Sequence, residues 1–346
     1  MESKKAFILS EYRAKQAQES RDYAKAIDHS RAAVQAAEEG KDNWGFCRMM
    51  FNVATLQYEL GLLDDCVATS RALAESDAII PYPDFQSRAK VLLSRALQNK
   101  GEMEAALSVA MDASDDAEAH GSLETRISSQ HGLVAALAEE GDLEAAWTEA
   151  LKLAEMVRVD ASPKVVGLAN WTIGNVGFMA GRNSEGVEHH ERASQALTAT
   201  NDVTQWGLFN KASAHMRLVA NLLEPETLEC IERAEVALEI TAAAESDLLE
   251  LVITRAWWEL ETGNLARANS LLHTVEEKVY DTYPFLLGRT LQLRSRCLHA
   301  LGQGDEALAY AAKSEEIFNR VGAVVLASES RKILDSMRSR PDNGSA

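Results

Sequence analysis

Two closely similar ten-residue phrases lie forty residues apart in this chain: Gly101-Glu-Met-Glu-Ala-Ala-Leu-Ser-Val-Ala and Gly141-Asp-Leu-Glu-Ala-Ala-Trp-Thr-Glu-Ala. The same step reaches Gly61-Leu-Leu-Asp-Asp-Cys-Val and Arg21-Asp-Tyr-Ala-Lys-Ala-Ile on one side, and Gly181-Arg-Asn-Ser-Glu-Gly-Val on the other. Each phrase reads as the end of one helix, a tight turn and the start of a second helix. A fixed period of this kind marks a stack of repeated units and outranks any local propensity.

The fifth residue after each turn position is small: Ala26, Cys66, Ala106, Ala146 and Gly186. The residue after it is apolar: Ile27, Val67, Leu107, Trp147 and Val187. A small side chain there lets two antiparallel helices approach closely, and the apolar neighbour fills the space beside it. Glycine at the turn ends the first helix in a left-handed conformation without a side-chain clash. The acidic residues that follow suit the positive end of the next helix. From the sixth unit the phase slips. In Pro225-Glu-Thr-Leu-Glu-Cys-Ile, Pro225 stands where the turn glycine would be and Cys230-Ile231 supply the small-apolar pair. Ala268 after Gly263 and Ala307 after Gly302 continue the series.

Helix–turn–helix units with Gly before an acidic-x-x-Ala-type second helix resemble the tetratricopeptide repeat family, over nearly the whole chain. The resemblance implies an all-α, right-handed superhelical solenoid of about eight units with a C-terminal capping helix. The forty-residue period exceeds the 34 of the common form, and the large aromatic of the family's first helix is mostly missing. HEAT-type repeats share the longer period, but the Gly-acidic-x-Glu-Ala-Ala turns favour the tetratricopeptide reading. Units are expected at about 2–40, 43–80, 84–120, 122–160, 163–200, 203–243, 246–281 and 284–320, with a cap at 322–339. Together they make one solenoid over 1–340, followed by a flexible tail at 341–346. Short breaks separate the units. Lys41-Asp-Asn offers a cap, Pro81 and Pro83 stop a helix with Asp84 as the next N-cap, and His120-Gly-Ser-Leu and Asp160-Ala-Ser-Pro163 act likewise. The last helix carries Leu326, Ile333, Leu334 and Met337, with Arg331, Lys332, Arg338 and Arg340 outward, as a polar terminal cap requires.

In the tetratricopeptide family the first helix of each pair lines the concave surface, where ligands lie. Positions thirteen, ten, six and three before the turn glycine share one helix face by their 3-4-3 spacing. They give Arg48, Phe51, Thr55 and Tyr58 in the second unit, and Arg88, Val91, Arg95 and Gln98 in the third. The fourth adds His131 and the fifth Trp171, Asn175 and Phe178; the later units add Trp257, then Arg289 and Arg296. Five arginines on this face make a locally basic groove the expectation. Arginine suits bidentate recognition of carboxylates. The aromatics are of the kind that anchor binding interfaces, and Asn175 and Gln98 suit the backbone of an extended peptide. The same frame puts Arg255, Glu259 and Arg294 at core positions, implying that the phase there is off or the helices tilt.

A formal net charge of −18 opposes a general nucleic-acid surface, and no apolar run reaches membrane-spanning length. The N-terminal stretch lacks the apolar core of a signal peptide, and Cys47, Cys66, Cys230 and Cys297 have no paired spacing. Buried free thiols in a cytoplasmic protein follow. No catalytic constellation, phosphate loop or cofactor motif is present. His189-His-Glu191 reads as a solvent-exposed helix surface in preference to a metal site, because adjacent residues do not share a face. The expected function is a non-enzymatic scaffold that holds a protein or peptide in its concave groove, acidic or C-terminal carboxylate groups suiting the arginines. A homodimer is compatible with this reading. The alternative is a ligand-sensing regulator resembling bacterial peptide-pheromone receptors or repeat-bearing transcription regulators, but without a DNA-binding domain of its own.

Overall fold

The computed structural model describes residues 2–157, 162–241, 243–280 and 282–339, so the Asp160-Ala161 junction and the tail from Arg340 lie outside the described residues. Among the described residues there are seventeen helices and no strand. In chain order they are α1 (Glu2–Glu19), α2 (Tyr23–Glu39), α3 (Asn43–Glu59), α4 (Leu63–Ala74), α5 (Pro83–Lys100) and α6 (Met103–His120). Next come α7 (Leu123–Glu140), α8 (Leu143–Met156), α9 (Pro163–Met179), α10 (Asn183–Ala196), α11 (Val203–Val219) and α12 (Pro225–Ile240). The last are α13 (Glu245–Glu261), α14 (Leu265–Val279), α15 (Pro284–Ala300), α16 (Gly304–Arg320) and α17 (Val324–Arg338).

The chain divides into two compact units, residues 1–193 and 194–346. In the first, consecutive helices pack as hairpins, and the odd-numbered helices also touch one another: α3 with α5, α5 with α7, α7 with α9. The second repeats the pattern, α11 packing on α13, α13 on α15 and α15 on α17.

The hairpins follow from the turn chemistry. Gly141 takes φ +95°, and the amide of Asp142 closes onto the Leu137 carbonyl at 3.1 Å, satisfying an orphan acceptor at the helix end. Asp142 then caps α8 by accepting from the Ala145 amide at 3.0 Å. Three non-glycines hold the same left-handed turn, Arg21 at φ +58°, Lys41 at φ +54° and Asn221 at φ +57°. The turn of the sixth hairpin is therefore Asn221. Pro225 instead occupies the first turn of α12, where its missing N–H costs nothing. Asp84 likewise is not an N-cap: Pro83 opens α5 after Tyr82, and the Asp84 carboxylate accepts from the Ser122 amide at 2.7 Å. Between α2 and α3 the left-handed residue is Lys41, while Gly40 stays right-handed.

Ala26, Cys66, Ala106 and Ala146 are completely buried, as are Ala268 and Ala307. Along α6 the buried set runs Ala106, Ala110, Ala113, Ala117, a 4-3-4 stripe. The same spacing in α12 gives Thr227, Ile231, Ala234 and Leu238, all at 1% exposure or less. Thr227 thus takes the small position in the sixth hairpin, and Cys230 sits beside the stripe. The turn there is two residues longer, which shifts the helix start and accounts for the apparent slip.

Arg255, Glu259 and Arg294 are buried, so the helical phase is correct and the charges are paired. Arg255 meets Glu235 through two bonds, of 2.9 and 2.6 Å. Arg294 pairs with Glu276 and lies over the Tyr310 ring, and Glu259 accepts from Asn264 at 2.8 Å and meets Arg267. Charge-assisted pairing, bidentate at Arg255, offsets the desolvation that would otherwise exclude these groups. All four cysteines are buried free thiols. No helix among the described residues is long and apolar enough to cross a membrane.

Candidate functional site

The odd-numbered helices meet along the 3-4-3 face, and the contact has a rule. In the first unit a residue thirteen before the turn reaches the residue ten before the turn of the preceding hairpin. Arg48 pairs in this way with Glu11, and Arg88 stacks on Phe51 at 5.2 Å. Six before meets three before in the same manner, placing Arg95 on Tyr58 at 5.1 Å. Arg88 lies equally close to Phe85, at 5.1 Å. The arginines and aromatics of this face therefore act as stacked pairs, each planar cation fixed by a ring.

Two adjoining cavities open on this face of the first unit. One of about 560 Å³, between α3, α5 and α7, is lined by Phe51, Tyr58, Arg88 and Arg95. The other, of about 500 Å³, lies between α1, α3 and α5 and includes Arg48; Phe51, Thr55 and Arg88 border both. No carboxylate reaches Arg88 or Arg95 within 4 Å among the described residues, whereas Arg48 is already paired. Glu59, Asp84 and Glu124 also line the larger cavity, so it is mixed in charge and not basic as expected.

In the second unit a cavity of about 620 Å³ lies against α11, α13, α15 and α17. Trp257, Arg289 and Arg296 line it, and Arg289 stacks on Trp257 at 5.1 Å. Arg296 is neutralised by Glu261 at 2.6 Å, which also accepts from the Trp257 indole at 2.8 Å. His215 meets Trp257 edge-on at 5.6 Å, and burial, with Arg289 and Lys211 nearby, holds its imidazole down to about 4.

Five expected site residues fall outside these cavities. Phe178 is 3% exposed and packs edge-on against His190, which makes it a core residue and not an anchor. The Asn175 side-chain oxygen is engaged by His190 Nε2 at 3.0 Å, between α9 and α10. Trp171 is half-buried. Gln98 is 9% exposed, and its amide nitrogen has no partner among the described residues. His131 is half-buried, and burial together with Arg95 lowers its pKa to about 4.

The histidine pair reverses its expectation. His189 and His190 are 8% and 2% exposed, and His189 Nδ1 bonds Asn170 Oδ1 at 2.9 Å. Glycines on both helices allow this close packing, Gly174 in α9 facing His190 and Gly186 in α10 facing Phe178. A Cβ on Gly174 would lie 2.8 Å from His190 Nε2, and one on Gly186 would lie 2.9 Å from Phe178. The contribution of α17 was missed, because that helix read as a polar cap. Leu326, Glu329 and Ile333 all line the second-unit cavity, and their 3-4 spacing is the groove signature.

No family model matches the chain, and no curated protein matches it in sequence. Solved structures do match in shape. The apo form of RapI aligns with a TM-score of 0.62 at 13% identity, over 79% of this chain and 98% of that one. The Rap conjugation gene regulator of the plasmid pLS20, solved with the Phr* peptide, aligns at 0.55 and 16% identity, over 86% and 74%. A tetratricopeptide repeat protein from Parabacteroides merdae aligns at 0.54 and 13% identity, over 83% and 99%. At these identities the likeness is one of fold, and the fold is that of tetratricopeptide-type helical repeats.

Proposed function

We propose that this protein is a non-catalytic peptide- or protein-binding module whose first-unit groove holds its ligand. The observation that carries the reading is the pair of guanidiniums at Arg88 and Arg95. They lack a carboxylate partner within 4 Å among the described residues and lie over the rings of Phe51, Phe85 and Tyr58 beside a cavity. In a chain of net charge −18, cations left unpaired in a groove favour an anionic ligand group. Glu59 and Glu124 on the same cavity favour amide or cationic groups next to it. A peptide offering a side-chain or terminal carboxylate among neutral or basic residues meets both demands. The fold likeness to a Rap regulator solved with a peptide supports a peptide ligand.

The test is a peptide array probed with wild-type protein and with the Arg88→Gln/Arg95→Gln variant, which keeps both side-chain stems over their rings. Two charge-assisted bonds are worth about 3 kcal/mol together, so acidic spots should weaken about 100-fold while helicity stays unchanged. Equal binding by the two proteins would show that the groove has been misplaced. The same fold likeness favours a second reading, a ligand-sensing regulator. Scattering of the wild-type protein with its best array peptide separates the two, since a sensor changes radius at saturation and a passive scaffold does not.

A further inference from the structure

Arg289 differs from the other groove arginines in how it is held. Its Nη1 donates to the Gln292 side-chain oxygen at 3.0 Å. Gln292 is 4% exposed, and its amide nitrogen donates to Ser330 Oγ at 3.1 Å. Ser330 and Ser314 hydroxyls are 3.0 Å apart, and Ser314 Oγ donates to the Gly288 carbonyl at 2.8 Å. The Ser314 proton is used on that carbonyl, so Ser330 must donate to Ser314 and accept from Gln292. The Gln292 oxygen is thereby turned toward Arg289. A buried relay across α15, α16 and α17 thus orients one guanidinium.

That guanidinium has Trp257 on one face and Gln292 on one edge, and it borders a cavity. No carboxylate lies within 4 Å of it among the described residues, and burial lowers its pKa. Arg296 is neutralised by Glu261, and His215 is neutral at pH 7. Arg289 and Lys332 against Glu329 leave an excess of one positive charge on the cavity wall. The rest of the wall is apolar, from Val219, Phe285, Leu293, Leu326 and Ile333. At about 620 Å³ the space lies within the range of small-molecule sites.

We propose that this second-unit cavity binds a carboxylate carried on a compact apolar body, the carboxylate on Arg289 and the body against Trp257, Phe285 and Ile333. The site is independent of the Arg88–Arg95 groove. The chemistry is shared by a free aryl or alkyl carboxylate and by the C-terminus of an apolar peptide.

Calorimetry on the full chain tests it with four probes: 3-phenylpropionate, its neutral isostere 3-phenylpropionamide, acetyl-Gly-Gly-Leu-Phe as free acid, and that peptide as C-terminal amide. Each acid that binds should do so at least about tenfold more tightly than its amide, the worth of one charge-assisted contact. Tighter binding of the small acid identifies a free carboxylate as the source, and tighter binding of the peptide acid identifies a chain terminus. Arg289→Gln should weaken binding of each acid at least about tenfold and remove the preference for acid over amide. Gln292→Glu, which gives the guanidinium an internal carboxylate, should do the same, while Arg88→Gln/Arg95→Gln leaves binding unchanged. Equal affinity for acid and amide, wild-type affinity in Arg289→Gln, or no saturable heat with either acid overturns the proposal. If Arg289→Gln does not fold, the acid–amide comparison on the wild-type protein decides alone.

Discussion

Gly174→Ala is expected to destabilise the protein by about 3 kcal/mol, against the helix propensity that favours it. Alanine in place of a mid-helix glycine normally gains up to ~1 kcal/mol. Here the new methyl would stand 2.8 Å from His190 Nε2 and 3.1 Å from the Gly186 carbonyl oxygen. Overpacking of this kind costs ~1–3 kcal/mol. Displacing His190 also disturbs its 3.0 Å bond to Asn175 in a buried setting, worth ~1–3 kcal/mol more. Backbone relaxation offers little escape, since a Cβ on neighbouring Gly177 would already lie 3.0 Å from the Gly186 amide nitrogen. The control is Gly132→Ala in α7, whose added methyl meets only Val91, at an ordinary 3.7 Å. That variant should be stabilised by up to ~1 kcal/mol. Urea unfolding of both variants decides. A stabilised Gly174→Ala would mean that α9 and α10 are not in the close contact described.

Acid is expected to loosen both units well above the range in which carboxylates titrate. Burial and, secondarily, nearby cations hold His131 and His215 down to about 4, and burial also lowers His189. In the unfolded chain these groups return to about 6.5, so the unfolded state binds more protons between the two values. Their contribution is complete above pH ~6.5 and is lost progressively as the pH falls toward ~4. A gap of ~2.5 pH units sets a ceiling near 3 kcal/mol per imidazole, and partial solvent exposure reduces the pair to roughly 3 kcal/mol in total. Asp84, lowered because hydrogen bonds from Ser122 and Thr125 outweigh its burial, adds to the loss only below its usual 3.8. Stacked repeats unfold locally, so hydrogen exchange over α5–α7 and α11–α13 is the suitable readout. Protection of both segments should fall between pH ~7 and ~5, and His131→Gln/His215→Gln should flatten the response. A flat wild-type profile would mean that these imidazoles are not held neutral by burial.

How far the groove could be read in advance varied with the kind of contact. Arg48, Phe51, Tyr58, Arg88 and Arg95 were legible because a 3-4-3 spacing is a property of one helix and needs no partner. Phe178 obeyed the same arithmetic and failed, since Gly186 on the partner helix leaves a gap that the ring fills. His189 and His190 looked solvated because adjacent helical residues point apart. Yet both are buried, with Asn170 and Asn175 of α9 bonded to them. Arg255 and Arg294 looked like phase errors for want of sight of Glu235 and Glu276, each on another helix.

Hairpin architecture, turn positions and the close helix contacts at Ala26, Ala106 and Ala146 arise from interactions within about ten residues of chain. Local sequence therefore carries most of them, the turn at Asn221 and the left-handed Lys41 being exceptions. The partner of each buried charge, the stacking of Arg88, Arg95 and Arg289 on rings, and the cavities they border arise where helices of neighbouring hairpins meet. A single helix leaves such contacts open, because its face admits polar, ionic and aromatic neighbours alike. Only the packed neighbour selects among them. The relay from Arg289 to Gly288 is the clearest instance: it runs through Gln292, Ser330 and Ser314, on three helices, and none of those residues signals its role alone.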